Sequence, residues 1–102
     1  MYKYTNKQEI KSYIIKNRDG FVIYPADVKD FDEVINSTFA LMNLCSISKS
    51  WFITPRISNF NGHKAILFIM MKSSDALKNS MVASFAVKNG FISLRAYLNM
   101  LQ

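Results

Sequence analysis

The sequence contains few of the residues that build crosslinked or repetitive architectures. Its 102 residues include one cysteine, three glycines and two prolines. A single cysteine excludes both a disulfide scaffold and a zinc site made of cysteines, and so little glycine and proline excludes collagen-like and low-complexity chains. With 50% hydrophobic and 20% charged residues, the composition is typical of one globular domain, residues 1–102.

Long apolar segments are also missing. The longest apolar run, residues 65–71, is seven residues long, whereas a helix that crosses a bilayer needs about 18. The first nine residues, MYKYTNKQE, are polar and lack the hydrophobic region of a signal peptide. We therefore expect a cytoplasmic protein that does not bind membranes.

Residues that commonly carry catalysis or bind metals are scarce. The only histidine, His63, follows an Asn-Gly pair, where a surface position is favoured. Cys45 lies in an apolar stretch and is expected to be a small buried hydrophobe. No phosphate-binding glycine loop, paired-carboxylate motif or Cys/His spacing is present. We expect a protein that is not an enzyme and needs no cofactor or metal, although a metal-free nuclease or transferase built on Tyr, Lys and Arg stays open.

Positive charge is concentrated in the second half of the chain. The net charge is +6; residues 1–48 hold six basic and six acidic residues, while residues 49–102 hold seven basic residues against Asp75 alone. A one-sided basic surface attracts polyanions, so nucleic acid is the first partner to consider. The alternative is a solvated basic surface without a partner.

The N-terminal half predicts two helices and a short strand. Asn6 and Glu9 resemble a capping box and predict a helix over about 7–17. The apolar residues 21–24 before Pro25 predict a strand or an extended segment. Asp27 begins a second predicted helix, about 27–43, whose apolar face comprises Val28, Phe31, Ile35, Thr38 or Phe39, and Met42.

Acidic residues crowd the start of this second helix. The positive end of a helix dipole favours carboxylates, so a structural role explains them better than a metal or acid/base cluster. These residues are Asp27, Asp30, Asp32 and Glu33.

Asn61-Gly62 predicts a β-hairpin within residues 51–71. Both residues tolerate positive φ, and apolar segments flank them. The alternative is a buried helix over residues 63–72, because residues 65–71 are apolar on every side.

Two further helices are predicted near the C-terminus. The first, about 74–89, is capped by Ser73 and Ser74 and ends at Asn89-Gly90; its apolar side comprises Leu77, Met81 and Phe85. The second, about 92–101, has a polar face of Arg95, Asn99 and Gln102 and an apolar face of Leu94, Tyr97, Leu98 and Leu101. The predicted fold is α+β: a small antiparallel sheet packed with four helices, the last two forming a helix-turn-helix-like pair.

These two helices are the part of the sequence that most clearly indicates a function. In a helix-turn-helix, the first helix packs through a small residue, a glycine forms the bend, and the second helix contacts bases; Ala86, Gly90 and the Arg95 stripe suit these roles. Arg reads guanine and Asn or Gln reads adenine through paired hydrogen bonds. Lysines supply phosphate contacts. The residues predicted to bind double-stranded DNA are Lys72, Lys78, Lys88, Asn89, Ser93, Arg95, Asn99 and Gln102.

Residues 51–101, and most clearly 85–93 (FAVKNGFIS), resemble the C-terminal region of small regulators of bacterial pilus and fimbrial adhesin operons. Those proteins have an aromatic residue, Asn-Gly, an aromatic pair and Ser at similar places before a recognition helix. Ile57-Ser58 and the apolar run from Ala65 are similar to their upstream segment. The resemblance implies a multimeric, mostly helical DNA-binding protein.

Residues 64–101 also resemble a ribbon-helix-helix protein, with a strand, a helix ending in Lys-Asn-Gly and a second helix. In that family alternate strand residues contact bases. Here the strand offers Ile, Phe and Met, which favours burial.

The resulting hypothesis is a small DNA-binding transcription regulator. The alternative is a protein-binding inhibitor encoded by a phage or mobile element, for example one that blocks a host defence complex. Aromatic residues capable of exposure suit that alternative: Tyr2, Tyr4, Trp51 and Phe60. Association of the chain with itself is compatible with either hypothesis.

Overall fold

The structure of this chain, a computed structural model, describes residues 2–24, 30–72 and 75–101. The predicted α+β class is confirmed. In chain order the elements are α1 (Lys7–Ile15), β1 (Gly20–Ile23), α2 (Phe31–Leu44), a 3-10 turn (Lys49–Trp51), β2 (Arg56–Phe60), β3 (His63–Ile69), α3 (Ala76–Lys88), β4 (Ile92–Ser93) and α4 (Leu94–Leu101).

The predicted hairpin is confirmed as β2 and β3. Their antiparallel register runs from Arg56 opposite Leu67 to Phe60 opposite His63. Asn61 and Gly62 form the turn with φ values of 52° and 81°, as expected when both central residues take the left-handed conformation. The alternative of a helix over residues 63–72 is wrong.

All strand pairs within the sheet are antiparallel, and the strand order is β2-β3-β1-β4. The elements from β1 to β4 follow each other as β-α-β-β-α-β, the connectivity of a ferredoxin-like split βαβ unit. Helices α1 and α4 lie outside this unit, one at each end of it along the chain. Four helices are therefore available to cover the two faces of the sheet.

Both faces of the sheet are buried. Phe21, Ile66 and Phe68 pack with α2 and α3 on one face, whereas Val22 and Leu67 pack with α1 and α4 on the other. Successive residues of a strand point to opposite faces, so a strand covered on both sides must be apolar throughout. This explains why residues 65–69 read as a continuous apolar run.

Stacked aromatic rings occupy the centre of the α2/α3 side. The Phe21 ring stacks on Phe68 at 4.9 Å and on Phe91 at 5.3 Å between ring centroids. Such pairs contribute roughly 0.5–1.5 kcal/mol beyond the area they bury. They hold β1, β3 and the segment before β4 together.

The N-terminal segment covers the outer edge of β2. Ile57 N–H donates to the Lys3 carbonyl at 2.9 Å, and Thr5 N–H donates to the Ile57 carbonyl at 2.7 Å. A hydrogen bond to Asp32, together with burial, raises the pKa of the Tyr2 phenol. An edge strand of the sheet is thus protected from pairing with other chains.

Side-chain caps define where three helices begin. Asn6, Asp30 and Asp75 each accept a hydrogen bond from the backbone N–H three residues later, at 2.9, 3.2 and 3.2 Å. The Asn6 cap is as predicted. Helix α2 begins after Asp30 and not at Asp27, which lies outside the described residues. Helix α3 is capped by Asp75 and not by the two preceding serines, which also lie outside them.

The same three helices end in one motif. The residues Asn17, Ser46 and Gly90 take positive φ values of 60°, 61° and 73°. In each case the following residue donates its N–H to a carbonyl five positions back, as in a Schellman motif; these pairs are Arg18 to Tyr13, Ile47 to Met42 and Phe91 to Ala86, at 3.0, 3.0 and 2.8 Å. The motif places Arg18, Ile47 and Phe91 immediately after their helices.

Both predicted C-terminal helices are present, and β4 lies between them. Ile92 and Ser93 pair with β1, so α4 begins at Leu94, two residues later than predicted. Helix α3 packs against the face of the sheet that carries Phe21, and α4 packs against the opposite face. The chain thus crosses from one side of the sheet to the other through β4.

Two predicted burial positions are wrong. Leu77 is 72% exposed, because the buried side of α3 comprises Val82, Phe85 and Ala86. Cys45 is exposed, because it is the C-cap residue of α2, where the chain leaves the sheet face.

Tyr97 links α4 to β2 through a buried hydrogen bond. Its hydroxyl donates to Ser58 Oγ at 2.8 Å, and the Tyr97 side chain is fully buried. We expect Tyr97→Phe to lower the free energy of unfolding by about 1 kcal/mol, because Ser58 Oγ loses its partner. Chemical denaturation followed by the fluorescence of Trp51 measures this, with Tyr4→Phe, at a 56% exposed position, as the control that should change little.

Burial also raises the pKa of the Tyr97 phenol, although the hydrogen bond to Ser58 lowers it. The folded state therefore favours the neutral phenol, and that stabilisation is present below the unfolded pKa of about 10 and lost as the pH rises above it. The alkaline loss of stability should be smaller in Tyr97→Phe than in wild type. Equal losses in the two proteins would contradict the burial of this phenol.

Gly20 lies where β1 meets the backbone of β3. A Cβ at this position would collide with the Phe68 carbonyl oxygen and lie 3.0 Å from Ile69 Cα. We expect Gly20→Ala to cost about 2 kcal/mol, because neither central strand can move away. Gly62→Ala, at an open turn position, should cost only about 1 kcal/mol through its positive φ. Urea denaturation measures both, and the reverse ranking would contradict the strand pairing.

Candidate nucleic-acid interface

Helix α4 has one buried and one exposed side. Its apolar residues Leu94, Tyr97, Leu98 and Leu101 are buried, as predicted. Arg95 and Asn99 are exposed and lie one helical turn apart on the outer side. The small residue Ala96 is exposed beside them, so the outer side of α4 can be approached closely.

Helix α1 packs beside α4 on the same face of the sheet. The fully buried Ile10 and the partly buried Tyr13 and Ile14 belong to the same apolar cluster as Leu94 and Leu98. The two helices form one layer, and we call its exposed outer side, over residues 7–19 and 93–101, the α1/α4 face.

Two arginines from distant parts of the chain meet at one end of this layer. Arg18 and Arg95 line the same cavity of about 70 Å³, together with Asn17, Asp19 and Ser93. The Schellman motif at the end of α1 places Arg18, whose guanidinium carbon lies 5.9 Å from the Tyr13 ring centroid. Arg95 lies at this cavity because it is the second residue of α4.

The α1/α4 face is net positive. Residues 7–19 and 93–101 contain five basic residues, Lys7, Lys11, Lys16, Arg18 and Arg95, against Glu9 and Asp19. On the other side of the sheet, residues 30–44 and 75–89 contain four acidic residues, Asp30, Asp32, Glu33 and Asp75, against Lys78 and Lys88. The helix segments of the two layers therefore differ in the sign of their charge. Two further cations, Lys49 and Lys64, lie against the Phe39 and Phe31 rings of α2 and offset the acids on that side.

The four N-terminal cations of this face were not among the predicted site residues. Counting charge by halves of the sequence cancels them in part against Asp30, Asp32 and Glu33, which lie at the start of α2 on the opposite layer. The i, i+4 spacing of Lys7 and Lys11 on an exposed helix side was a usable signal. Their proximity to α4 depends on the packing of both chain ends on one sheet face, which no local pattern reveals.

Other predicted residues lie away from the α1/α4 face or have structural partners. Lys88 and Asn89 end α3 on the other layer, and Asn89 Nδ2 donates to the Phe85 carbonyl at 2.8 Å. The Lys78 ammonium lies 3.6 Å from Asp75 and 5.1 Å from the Trp51 ring centroid. Lys72 is exposed after β3. Gln102 lies outside the described residues.

The covered faces of the sheet offer no surface on which bases can stack. Open four-stranded sheets bind RNA by stacking bases on exposed aromatic side chains. Here α1 and α4 cover one face and α2 and α3 the other. Residues Ile66 to Ile69 of β3 are fully buried, so this strand cannot contact bases as a ribbon-helix-helix strand does.

The described ranges were also searched for a histidine in a site, for clustered metal ligands and for membrane-spanning helices. His63 is exposed at the start of β3. Within residues 2–24, 30–72 and 75–101, no three His, Cys, Asp or Glu side chains come together as metal ligands. None of the helices in these ranges is long and apolar enough to span a bilayer.

Comparison of the chain with protein-family models, curated proteins and solved structures finds no significant match.

Ser93 sets the start of α4. Its hydroxyl oxygen accepts a hydrogen bond from the Ala96 N–H at 3.1 Å, which is the contact of an N-cap residue. We expect Ser93→Ala to lower the free energy of unfolding by about 1 kcal/mol, and Ser93→Asn to retain most of the stability. Ser37→Ala, on the exposed side of α2, is the control. Urea denaturation with no difference between Ser93→Ala and Ser93→Asn would contradict the cap.

Proposed function

We propose that this chain is a non-enzymatic protein that binds double-stranded DNA through the α1/α4 face and regulates transcription. The observation that carries this proposal is the meeting of basic residues from both ends of the chain on one helix layer. Five cations there stand against two carboxylates, while on the opposite layer four acids are balanced by Lys78, Lys88 and the two lysines that lie against α2, Lys49 and Lys64. Such one-sided charge attracts DNA and orients it before close contact.

The outer side of α4 has dimensions and chemistry suited to the major groove. An α-helix with its side chains is about 10–12 Å in diameter, and the major groove is about 12 Å wide. Arg95 can form paired hydrogen bonds with guanine, and Asn99 can do so with adenine. The small Ala96 between them permits a close approach. We therefore assign base contacts to Arg95 and Asn99.

We assign the phosphate contacts to the basic residues of α1 and of the turn that follows it. Lys11 and Lys16 are exposed and Lys7 and Arg18 are partly exposed, and all four flank α4 on its own layer. A lysine or arginine that neutralises a phosphate releases condensed counterions, so binding weakens as salt rises. Four such contacts predict a slope of about −3.6 for log K against log salt concentration.

Arg95→Ala should weaken binding to a duplex roughly 5- to 150-fold, which corresponds to the loss of one paired base contact. Fluorescence anisotropy with labelled duplexes of varied sequence measures this, and the preference for one sequence should fall as well. Lys11→Ala should instead weaken binding to all sequences alike and reduce the salt slope by about 0.9.

Lys88→Ala is the matched control. It removes one positive charge from an exposed position on the opposite layer, so it should change neither affinity nor slope appreciably. Equal losses from Lys88→Ala and Arg95→Ala would contradict the assignment of the interface. No binding to any duplex at low salt would contradict DNA binding itself.

A reporter gene behind the chain's own upstream DNA tests regulation, which Arg95→Ala should abolish.

A further inference from the structure

The exposed side of α2 and α3, which we call the α2/α3 face, is almost without charge along most of its length. Residues 34–48 contain no charged side chain, and neither do residues 79–87. Several large apolar side chains are exposed there: Leu44 at 82%, Val87 at 80%, Leu77 at 72% and Leu41 at 38%. Large apolar side chains exposed on a surface with so few charges mark a candidate protein contact.

An open groove lies between α3 and the turn that follows α2. It has a volume of about 310 Å³, and Ile47, Met81 and Phe85 are among the residues that line it. Lys88 is the single charged residue in its lining. Leu44 and Val87 are exposed and adjoin the lining residues Cys45 and Lys88 in the chain. The face therefore carries both a depression and projecting side chains.

We propose that a second copy of this chain occupies the α2/α3 face and forms a two-fold symmetric dimer. In such a dimer the same patch meets itself, so a projecting side chain of each copy can enter the groove of the other. Charge supports this occupant: two chains of net charge +6 repel through their cationic surfaces, and this face lets them meet with the α1/α4 faces turned away from each other.

The size of the face sets the expected strength of the dimer. Helices α2 and α3 have 14 and 13 residues, so each is about 20 Å long and about 10 Å in diameter. Side by side they present roughly 400 Å² in projection, which suits the smaller, reversible class of interfaces. The dimer should therefore dissociate on dilution.

The dimer has a consequence that rests on the proposed function. The sheet separates the α2/α3 face from the α1/α4 face, so a dimer through the former directs its two basic faces outward on opposite sides. One dimer would then hold two duplex segments at once, and a single copy only one.

Sedimentation equilibrium over a range of protein concentrations tests the dimer, in the presence of a reducing agent so that Cys45 forms no intermolecular disulfide. Wild type should shift from monomer to dimer as concentration rises. Leu44→Glu and Val87→Glu should each weaken the dimer at least tenfold, because both bury a charge in the contact. Ile15→Glu is the matched control, since Ile15 is also 82% exposed but lies on α1; it should dimerise as wild type does.

Circular dichroism and thermal unfolding check that each variant folds, and two variants at separate positions guard against a folding defect in one. A wild-type chain that remains monomeric at every concentration overturns the proposal. The α2/α3 face would then be expected to bind a different protein. A dimer that Ile15→Glu disrupts and Leu44→Glu does not also overturns it.

Capture of a labelled duplex by an immobilised duplex separates this inference from DNA binding. Wild type should bridge the two, and Leu44→Glu should bind each duplex with unchanged affinity but fail to bridge them. A dimer that binds no duplex contradicts the proposed function and leaves the dimer intact. A monomer that binds duplex contradicts the dimer and leaves the proposed function intact.

Discussion

The burial of both faces of a four-stranded sheet is the constraint on which the rest of this structure depends. Strands β1 and β3 lie in the middle of the sheet, and their side chains are apolar on both sides. Helices α2 and α3 cover one side. The other side would expose Val22, Leu67 and Ile69 to water if the two ends of the chain did not fold over it. That requirement brings α1 and α4 together, and with them Arg18 and Arg95.

Features controlled by neighbouring residues could be predicted from the sequence. The Asn6 cap, the Asn61-Gly62 turn and the two sides of α4 each depend on a few adjacent side chains. Strand β4 could not be predicted, because two residues have no periodicity and Ile92-Ser93 becomes a strand only through pairing with β1. Leu77 and Cys45 were misplaced because apolar character alone does not say which side of an element meets the core. For the candidate site, the polar side of α4 and the helix α1 were predictable, whereas the packing of α1 beside α4 was not.

The sheet also separates two surfaces with different chemistry. The α1/α4 face is cationic, and it also exposes Ile15 and Met100. The α2/α3 face is nearly uncharged over its middle and exposes leucine and valine. A cationic surface suits a polyanion, and an uncharged apolar surface suits a protein contact. Because the two surfaces lie on opposite sides of one sheet, a contact at either leaves the other accessible, and each can be altered by substitutions that do not touch its counterpart.

Titration of the ¹⁵N-labelled protein with a short duplex, followed by amide chemical shifts at low salt, tests the central claim most directly. The account predicts that the largest changes occur in residues of α1, in the turn from Lys16 to Asp19 and at the start of α4, and that they disappear when salt is raised. Changes confined to α2 and α3, or the absence of any change at low salt, would contradict it.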